Sequence, residues 1–318
     1  MMTDKILTGY GTNYAAIDIG SNAVRLLIKQ IGKTKKGETT FTKELLLRVP
    51  LRLGFDVFGS GIISDKKAKN MYRLMKSYAH LMKIYDVKCY RACATSAMRD
   101  AQNGMELIHK IEKKTGIHID IIDGQEEAKI VYNNHIEYME DRNGNYLYVD
   151  VGGGSTEINL LSQGELCCSR SYNIGTVRIL NNAVKVSEWE RLKHDIAELA
   201  QSYANTNIIG SGGNINKLYK LAEKKDKKYQ RMSVDTLRSL YNTLKDLSIE
   251  ERIYQFNLKP DRADVIVPAG NIFLTIADIL KSDYIYVPII GLSDGIIDGL
   301  YSIDKETEAK ALAQSPDK

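Results

Sequence analysis

Short apolar runs, each stopped by small polar residues, punctuate the chain. Ala15 to Asp18 is apolar up to its aspartate, meets Gly20-Ser21-Asn22, and resumes as Val24 to Ile28. That order reads strand, tight turn, strand. It recurs near the middle, where Tyr146 to Asp150 is followed by Gly152-Gly153-Gly154-Ser155-Thr156 and then Ile158 to Leu161. The recurrence predicts an internal duplication. Two related α/β halves are expected, each opening with a hairpin whose first strand ends in aspartate and whose turn is built of small residues.

Between the hairpins, helix and strand patterns alternate. Ser64 suits the N-cap of a helix in which Ala68, Met71, Leu74, Met75, Tyr78 and Met82 keep one helical face. A strand, Val87 to Ala92, runs into Thr95-Ser96 and a helix ending before Gly116, the usual C′ residue. Ile117 to Ile122 reads as another strand, and a helix starts at Gln125-Glu126-Glu127-Ala128, where carboxylates suit the helix dipole. The second half continues with strand Glu165 to Tyr172, a helix from Ser187 to Tyr203 and strand Asn207 to Ile209. A third glycine turn, Gly210-Ser211-Gly212-Gly213, opens a helix, and Lys224 to Tyr229 reads as an exposed loop. Ser233 to Leu280 is mostly helical in pattern; strand Tyr284 to Val287, a helix from about Asp294 and a polar, weakly packed tail from about Lys305 to Lys318 complete the expectation.

Composition adds limits. The 318 residues, 43% hydrophobic and 26% charged, exceed what one core usually serves, so two domains are expected. No stretch approaches roughly 18 to 20 uninterrupted apolar residues, and the N-terminus lacks the regions of a signal peptide. A cytoplasmic protein with no membrane partner is the expectation. Cys89, Cys93, Cys167 and Cys168 form no C-x-x-C pair and stand in strand-like contexts, where each reads as a buried small hydrophobe. The five histidines show no zinc spacing, so any metal is expected on oxygen ligands. His194-Asp195 lies in an amphipathic helix and reads as surface. A net charge of +4 is too small to argue nucleic-acid binding, and no DNA partner is expected. Lysines at 33, 35 and 36, at 66, 67 and 69, and from Lys220 to Lys228 read mostly as solvated faces, with some left to draw a polyanion toward a cleft.

Three glycine turns placed directly after strands bring backbone N–H groups within reach of phosphate oxygens. None is completed into a P-loop or a dinucleotide fingerprint. Asp18, Asp150 and Glu157 flank the turns, and Asp150 and Glu157 would face one another across the second hairpin. Such oxygens suit Mg²⁺, although a strand-end aspartate equally serves as a turn former. Arg99, in the first turn after Thr95-Ser96, suits either a phosphate grip shared with the helix N-terminus or a surface ion pair. Glu127 suits either a general base on water or a complement to the dipole.

Five segments together carry a resemblance: AAIDIGSNAVRLLI (Ala15 to Ile28), ATSAMRDAQN (Ala94 to Asn103), IIDGQEEAKIVY (Ile121 to Tyr132), YVDVGGGSTEINL (Tyr148 to Leu160) and GSGGNINKL (Gly210 to Leu218). In order and spacing, over roughly Tyr14 to Tyr301, they resemble the exopolyphosphatase and guanosine pentaphosphate phosphohydrolase family, Ppx/GppA. The resemblance implies an α/β actin-like ATPase fold with two ribonuclease-H-like domains flanking a cleft. Residues 1–127 plus 291–318 would form domain I, closed by the C-terminal helix, and residues 128–290 domain II. Carried over position by position, it implies that Gly20, Ser21, Asn22, Thr95, Ser96, Arg99, Gly153, Gly154, Ser155, Gly212 and Gly213 bind phosphate. Glu127 would be the general base, and Asp150 and Glu157 the ligands of Mg²⁺ or another divalent cation.

The implied reaction is release of orthophosphate from the end of inorganic polyphosphate by metal-assisted attack of water. Hydrolysis of guanosine pentaphosphate (pppGpp) is the close alternative, followed by an actin-like small-molecule kinase and a non-catalytic nucleotide or polyphosphate sensor; Glu127 suits water activation more than a kinase. A homodimer is implied as well. Two departures stand out: Ala23 where most members carry serine, and Gly291-Leu292-Ser293-Asp294-Gly295, where many place a basic and then an acidic residue. The chain also stops where long members append a helical HD-type domain, so a short form is expected.

Overall fold

A computed structural model describes residues 11–132, 141, 143–288 and 290–313. The first sheet contains β1 (Thr12–Ile19), β2 (Val24–Lys33), β3 (Thr39–Val49), β4 (Val87–Ala94) and β5 (Asp120–Ile121), in the order β3-β2-β1-β4-β5. The second contains β6 (Asn145–Val151), β7 (Thr156–Ser162), β8 (Glu165–Tyr172), β9 (Asn207–Ser211), β10 (Arg231–Ser233) and β11 (Tyr284–Tyr286), in the order β10-β11-β9-β6-β7-β8. Both sheets use one wiring. An antiparallel meander, β1-β2-β3 or β6-β7-β8, is joined on the other side of its first strand by parallel strands, β4-β5 or β9-β11. Strand β10 is the one addition. The duplicated ribonuclease-H-like pair of the actin-like fold is thus written in the strand order.

Strand alternation explains where the chemistry falls. Along β1, Ala15, Ile17 and Ile19 enter one core with Met71, Met75 and Tyr78 of helix Asp65–Ile84. Tyr14 and Ala16 face the other way, into a core shared by both sheets. Along β6, Leu147, Val149 and Val151 enter the core of the second half, while Tyr146 and Tyr148 join the same shared core. Two residues on from Ala16 and Tyr148, the period places Asp18 and Asp150 on these facing surfaces. The aspartates at the two strand ends therefore look toward one space.

Helix Leu292–Ala313 supplies Leu292, Ile296 and Ile297 to the shared core and packs on β1, β2 and β4. It also packs on helix Gly124–Tyr132, which runs unbroken through residues 127 and 128 and lies on β7 and β8. Pro260–Leu280 is the one described stretch long and apolar enough to cross a membrane, at a mean hydropathy of 1.6. Its Ile266, Ala269, Ile272, Phe273 and Ile276 are fully buried in the second core, as a central core helix requires.

Several local expectations need correction. The helix after Thr95 is two, Ser96–Asp100 and Gly104–Thr115, because Ala101 is extended and interrupts the helical backbone; a Cβ on Gly104 would stand 2.3 Å from the Met98 carbonyl. Of Ile117 to Ile122 only Asp120–Ile121 pairs as strand. The C-terminal helix continues to Ala313, through much of the expected tail. Only Cys93 is buried; Cys89 and Cys167 are exposed, on the open half of β4 and the outer face of β8. His194 is exposed, but Asp195 beside it accepts from Tyr172 Oη at 2.7 Å and pairs with Arg170 at 2.8 Å.

Candidate active site

Two turns meet at the centre of the molecule. In the first, the Gly20 N–H donates to the Ala23 carbonyl at 3.1 Å; in the second, Gly152 N–H donates to the Ser155 carbonyl at 3.0 Å. The equivalent closures follow from equivalent strand pairs, β1-β2 and β6-β7. The turns touch back to back. A Cβ on Gly153 would stand 2.9 Å from Ser21 Cβ, and one on Gly154 would stand 2.3 Å from Ser96 Oγ and 2.5 Å from Phe58 Cζ. Ser21 Oγ and Ser96 Oγ share a hydrogen bond of 2.9 Å. Gly212 opens the third turn at φ 97°, and a Cβ there would stand 2.8 Å from Asp150 Oδ1. Only glycine accommodates both the left-handed backbone and that approach.

These turns border a cavity of about 510 Å³. Gly20, Ser21, Asn22, Thr95, Ser96, Gly153, Ser155, Gly212, Gly213, Glu127 and Asp150 line it. Gly154, Arg99 and Glu157 stand outside that lining. Gly154 is covered by Ser96 and Phe58, and Arg99 turns its Nη1 to the Ile122 carbonyl at 2.8 Å. Glu157 lies behind Asp150, its register partner, with 1% of its surface exposed, and accepts from Ser171 Oγ at 3.0 Å.

Carboxylates crowd the floor. Burial first, then the charges of Glu157, Asp150 and Asp18, hold the Glu127 pKa well above the ordinary value, with Arg99 opposing. Glu127 Oε2 is buried without a hydrogen-bond partner. Asp150 is pushed up to about 6, mainly by burial, against the pull of Arg25. Glu157 is pushed up to about 7 by burial, against hydrogen bonds from Ser155 and Ser171. Asp18 differs in having its own cation, Arg25, at 2.5 Å. Among the described residues no three His, Cys, Asp or Glu side chains converge as a ready-made metal cage.

The pattern of the Ppx/GppA phosphatase family matches residues 34–303. The chain belongs to that family. Among relatives, the bifunctional 3-dehydroquinate synthase/phosphatase of Fusobacterium nucleatum is 30% identical, over 89% of this chain and 46% of its own. Exopolyphosphatase 2 of Mycobacterium tuberculosis is 30% identical over 53% of this chain and 54% of its own. The guanosine-5'-triphosphate,3'-diphosphate pyrophosphatase of Aeromonas salmonicida is 23% identical over 93% and 61%. The chain thus spans about half the length of the first two relatives. A crystal structure of the Aquifex aeolicus Ppx/GppA family member superposes with a TM-score of 0.71 at 26% identity, over 93% of this chain and 98% of the other.

This Ppx/GppA chain also lines its cleft with cations of which sequence reasoning offered only Lys220, in a lysine run left to draw a polyanion. Lys43, Arg48, Lys217, Lys220, Lys259 and Arg262 are all part of the lining. Arg262 is held down to about 10, by burial and then by the neighbouring charges of Arg48 and Arg25. Lys217 is lowered by burial and then by Arg262 and Lys220. Mutual repulsion of this kind marks a place prepared for an anion. Arg48 also pairs with Asp261 at 2.5 Å. One signal was available: Lys217 and Lys220 stand three apart on the helix that the third glycine turn opens, hence on one face. Of the departures, Ala23 lines the cleft, and Asp294 accepts from Gly291 N–H at 3.1 Å and pairs with Lys29 at 2.7 Å.

Proposed function

We propose that the protein is an exopolyphosphatase, removing orthophosphate from the end of inorganic polyphosphate. The observation that carries this reading is an excess of cations lining the same cleft as the buried carboxylates and glycine turns. Asp18, Glu127, Asp150 and Asp294 line it together with Arg25, Lys43, Arg48, Lys217, Lys220, Lys259 and Arg262, and Arg262 and Lys217 are each lowered partly by neighbouring cations. A terminal phosphoryl group placed among the turns would leave the rest of a polyanionic chain against the cations. Among the described lining residues none is aromatic, so no ring is offered to stack a guanine base. That favours polyphosphate over pppGpp, which the pyrophosphatase among the relatives keeps as the second reading.

Within this proposal, backbone N–H groups of Ser21, Asn22, Gly153 and Ser155, whose residues line the cleft, hold the reacting phosphoryl oxygens, with the Ser21 and Ser96 hydroxyls beside them. Glu127 orients a water and takes its proton. The buried, carboxylate-crowded setting raises its proton affinity well above that of an ordinary glutamate, the direction a general base requires. Phosphoryl transfer leans on positioning and electrostatics, which rigid glycine turns supply.

The carboxylates also fit a divalent cation. Glu127 Oε2 is an orphaned buried oxygen, and burial raises Asp150 and Glu157, which lack a cation as close as the one Asp18 has. Asp150, open to the cleft, and Glu157 behind it would hold Mg²⁺, an ion that keeps waters and takes phosphate oxygens instead of needing a closed cage. Bound there, Mg²⁺ would supply positive charge to the transferring phosphoryl oxygens.

The test is orthophosphate release measured side by side from short polyphosphate, long polyphosphate and pppGpp. Faster release from polyphosphate is expected. Release from pppGpp alone would install the second reading. No release from any of them, with transfer from ATP to a sugar or carboxylic acid, would replace the hydrolase by a kinase.

A further inference from the structure

Arg178 stands outside the cleft lining, yet it touches both halves of the phosphate site. It belongs to helix Thr176–Leu180, and its side chain is only 12% exposed. Its Nε donates to the Gly154 carbonyl at 2.8 Å, its Nη2 pairs with Asp100 at 2.6 Å, and its guanidinium lies 4.0 Å from the centre of the Phe58 ring. Asp100 ends helix Ser96–Asp100, which carries Ser96 and Arg99. One rigid fork therefore ties the second glycine turn to the helix that borders the first.

The backbone beside Arg178 extends the pattern. Thr176 N–H donates to the Gly152 carbonyl at 3.1 Å, and Val177 and Arg178 N–H donate to the Gly153 carbonyl at 2.8 and 3.0 Å. With the side-chain bond to Gly154, three successive carbonyls of the turn are held from one side. No cis peptide occurs among the described residues, and in a trans peptide the carbonyl of one residue and the N–H of the next point in opposite directions. Holding the carbonyls of Gly152, Gly153 and Gly154 thus turns the N–H groups of Gly153, Gly154 and Ser155 away from residues 176–178. Gly153 and Ser155 line the cleft.

We infer that Arg178 is a positioning residue for the phosphate turn: it fixes the Gly154 carbonyl, and through it the Ser155 N–H, while Asp100 fixes Arg178 from the opposite half. A surface ion pair would leave the turn indifferent to its loss. Here the guanidinium completes a back plate whose other bonds come from the helix backbone and from the Thr176 hydroxyl, which donates to the Gly152 carbonyl at 3.4 Å, and it is the one bond to the Gly154 carbonyl in that plate. Its kinetic consequence rests on the hydrolase reading; its structural consequence does not.

The experiment compares Arg178→Met, Arg178→Lys and Asp100→Asn with the wild type by amide hydrogen exchange and by phosphate-release kinetics. In Arg178→Met, exchange at Gly153 to Ser155 is expected to rise while the strands of both sheets keep their protection. Turnover is expected to fall roughly 10- to 100-fold, as for other residues that orient a site from behind, with KM changing less than kcat. Arg178→Lys, which keeps the charge but not the fork, and Asp100→Asn should fall between. A folded Arg178→Met with unchanged exchange at the turn and unchanged kcat would overturn the inference. So would loosening spread uniformly over both sheets with full turnover per folded molecule. If the wild type releases no phosphate, the hydrolase reading fails and exchange at the turn still decides the role of Arg178.

Discussion

Replacing Glu157 by glutamine separates what this carboxylate does for stability from what it does for chemistry. Glu157 is 1% exposed, and its Oε1 accepts from Ser171 Oγ, a bond that a glutamine amide oxygen can keep. Burial lifts its pKa from 4.5 to about 7, so its proton is held more tightly folded than unfolded. The raised value fixes the sign: ionisation costs nothing below about 4.5, and the cost is complete once the pH exceeds about 7. A rise of that size is worth about 3 kcal/mol. In chelator, Glu157→Gln should therefore be more stable than the wild type by about 3 kcal/mol near pH 8 and by less than about 1 kcal/mol near pH 5. Urea unfolding across that range reads the difference directly. Adding a divalent cation at the higher pH should restore the wild type more than the variant, since only the wild type keeps both carboxylates. A difference that stays flat with pH, or that grows as the pH falls, would refute the reasoning.

Three further outcomes follow from the same geometry. Gly154→Ala, whose Cβ would stand 2.3 Å from Ser96 Oγ, should lose about 1–3 kcal/mol, read by thermal melts. Gly291→Ala, with nothing within 4 Å, should melt as the wild type does; equal losses in both would contradict the packing argument. Arg262→Ala should raise KM for polyphosphate by about 10- to 100-fold, the size of a lost charge-assisted contact, and flatten its salt dependence. An unchanged KM would remove Arg262 from the substrate path. The Mg²⁺ concentration giving half-maximal activity should climb as the pH drops through about 7 and 6, because protons then compete for Glu157 and Asp150, and pH-independent titrations would contradict this.

The duplication was legible because its signal is local: an apolar strand, an aspartate and a glycine turn fall in the same order twice, and strand alternation does the rest. β3 and helix Leu53–Ser60 carried no such signal. β3 is a half-exposed strand whose apolar and charged residues do not alternate cleanly, and its pairing with β2 shifts register near Ile28. Arg48, on that strand, was lost with it. The cations of the cleft come from β3, helix Gly213–Leu221 and the segment around Lys259 and Arg262, which only tertiary structure brings together. The exposed cysteines show the converse limit: a strand-like context does not say which half of a strand is covered. Glu127 stands out in the sequence by its place at a helix start, but its crowding by Asp18, Asp150 and Glu157 arises only when the two halves meet.

The central claim, that Glu127 activates water for phosphoanhydride hydrolysis, is tested most directly by orthophosphate release from polyphosphate by the wild type and Glu127→Gln under saturating Mg²⁺. The account predicts that the variant folds, still binds polyphosphate, and turns over about 10²- to 10⁴-fold more slowly, the usual size of a general-base contribution. Turnover by Glu127→Gln equal to that of the wild type would contradict it.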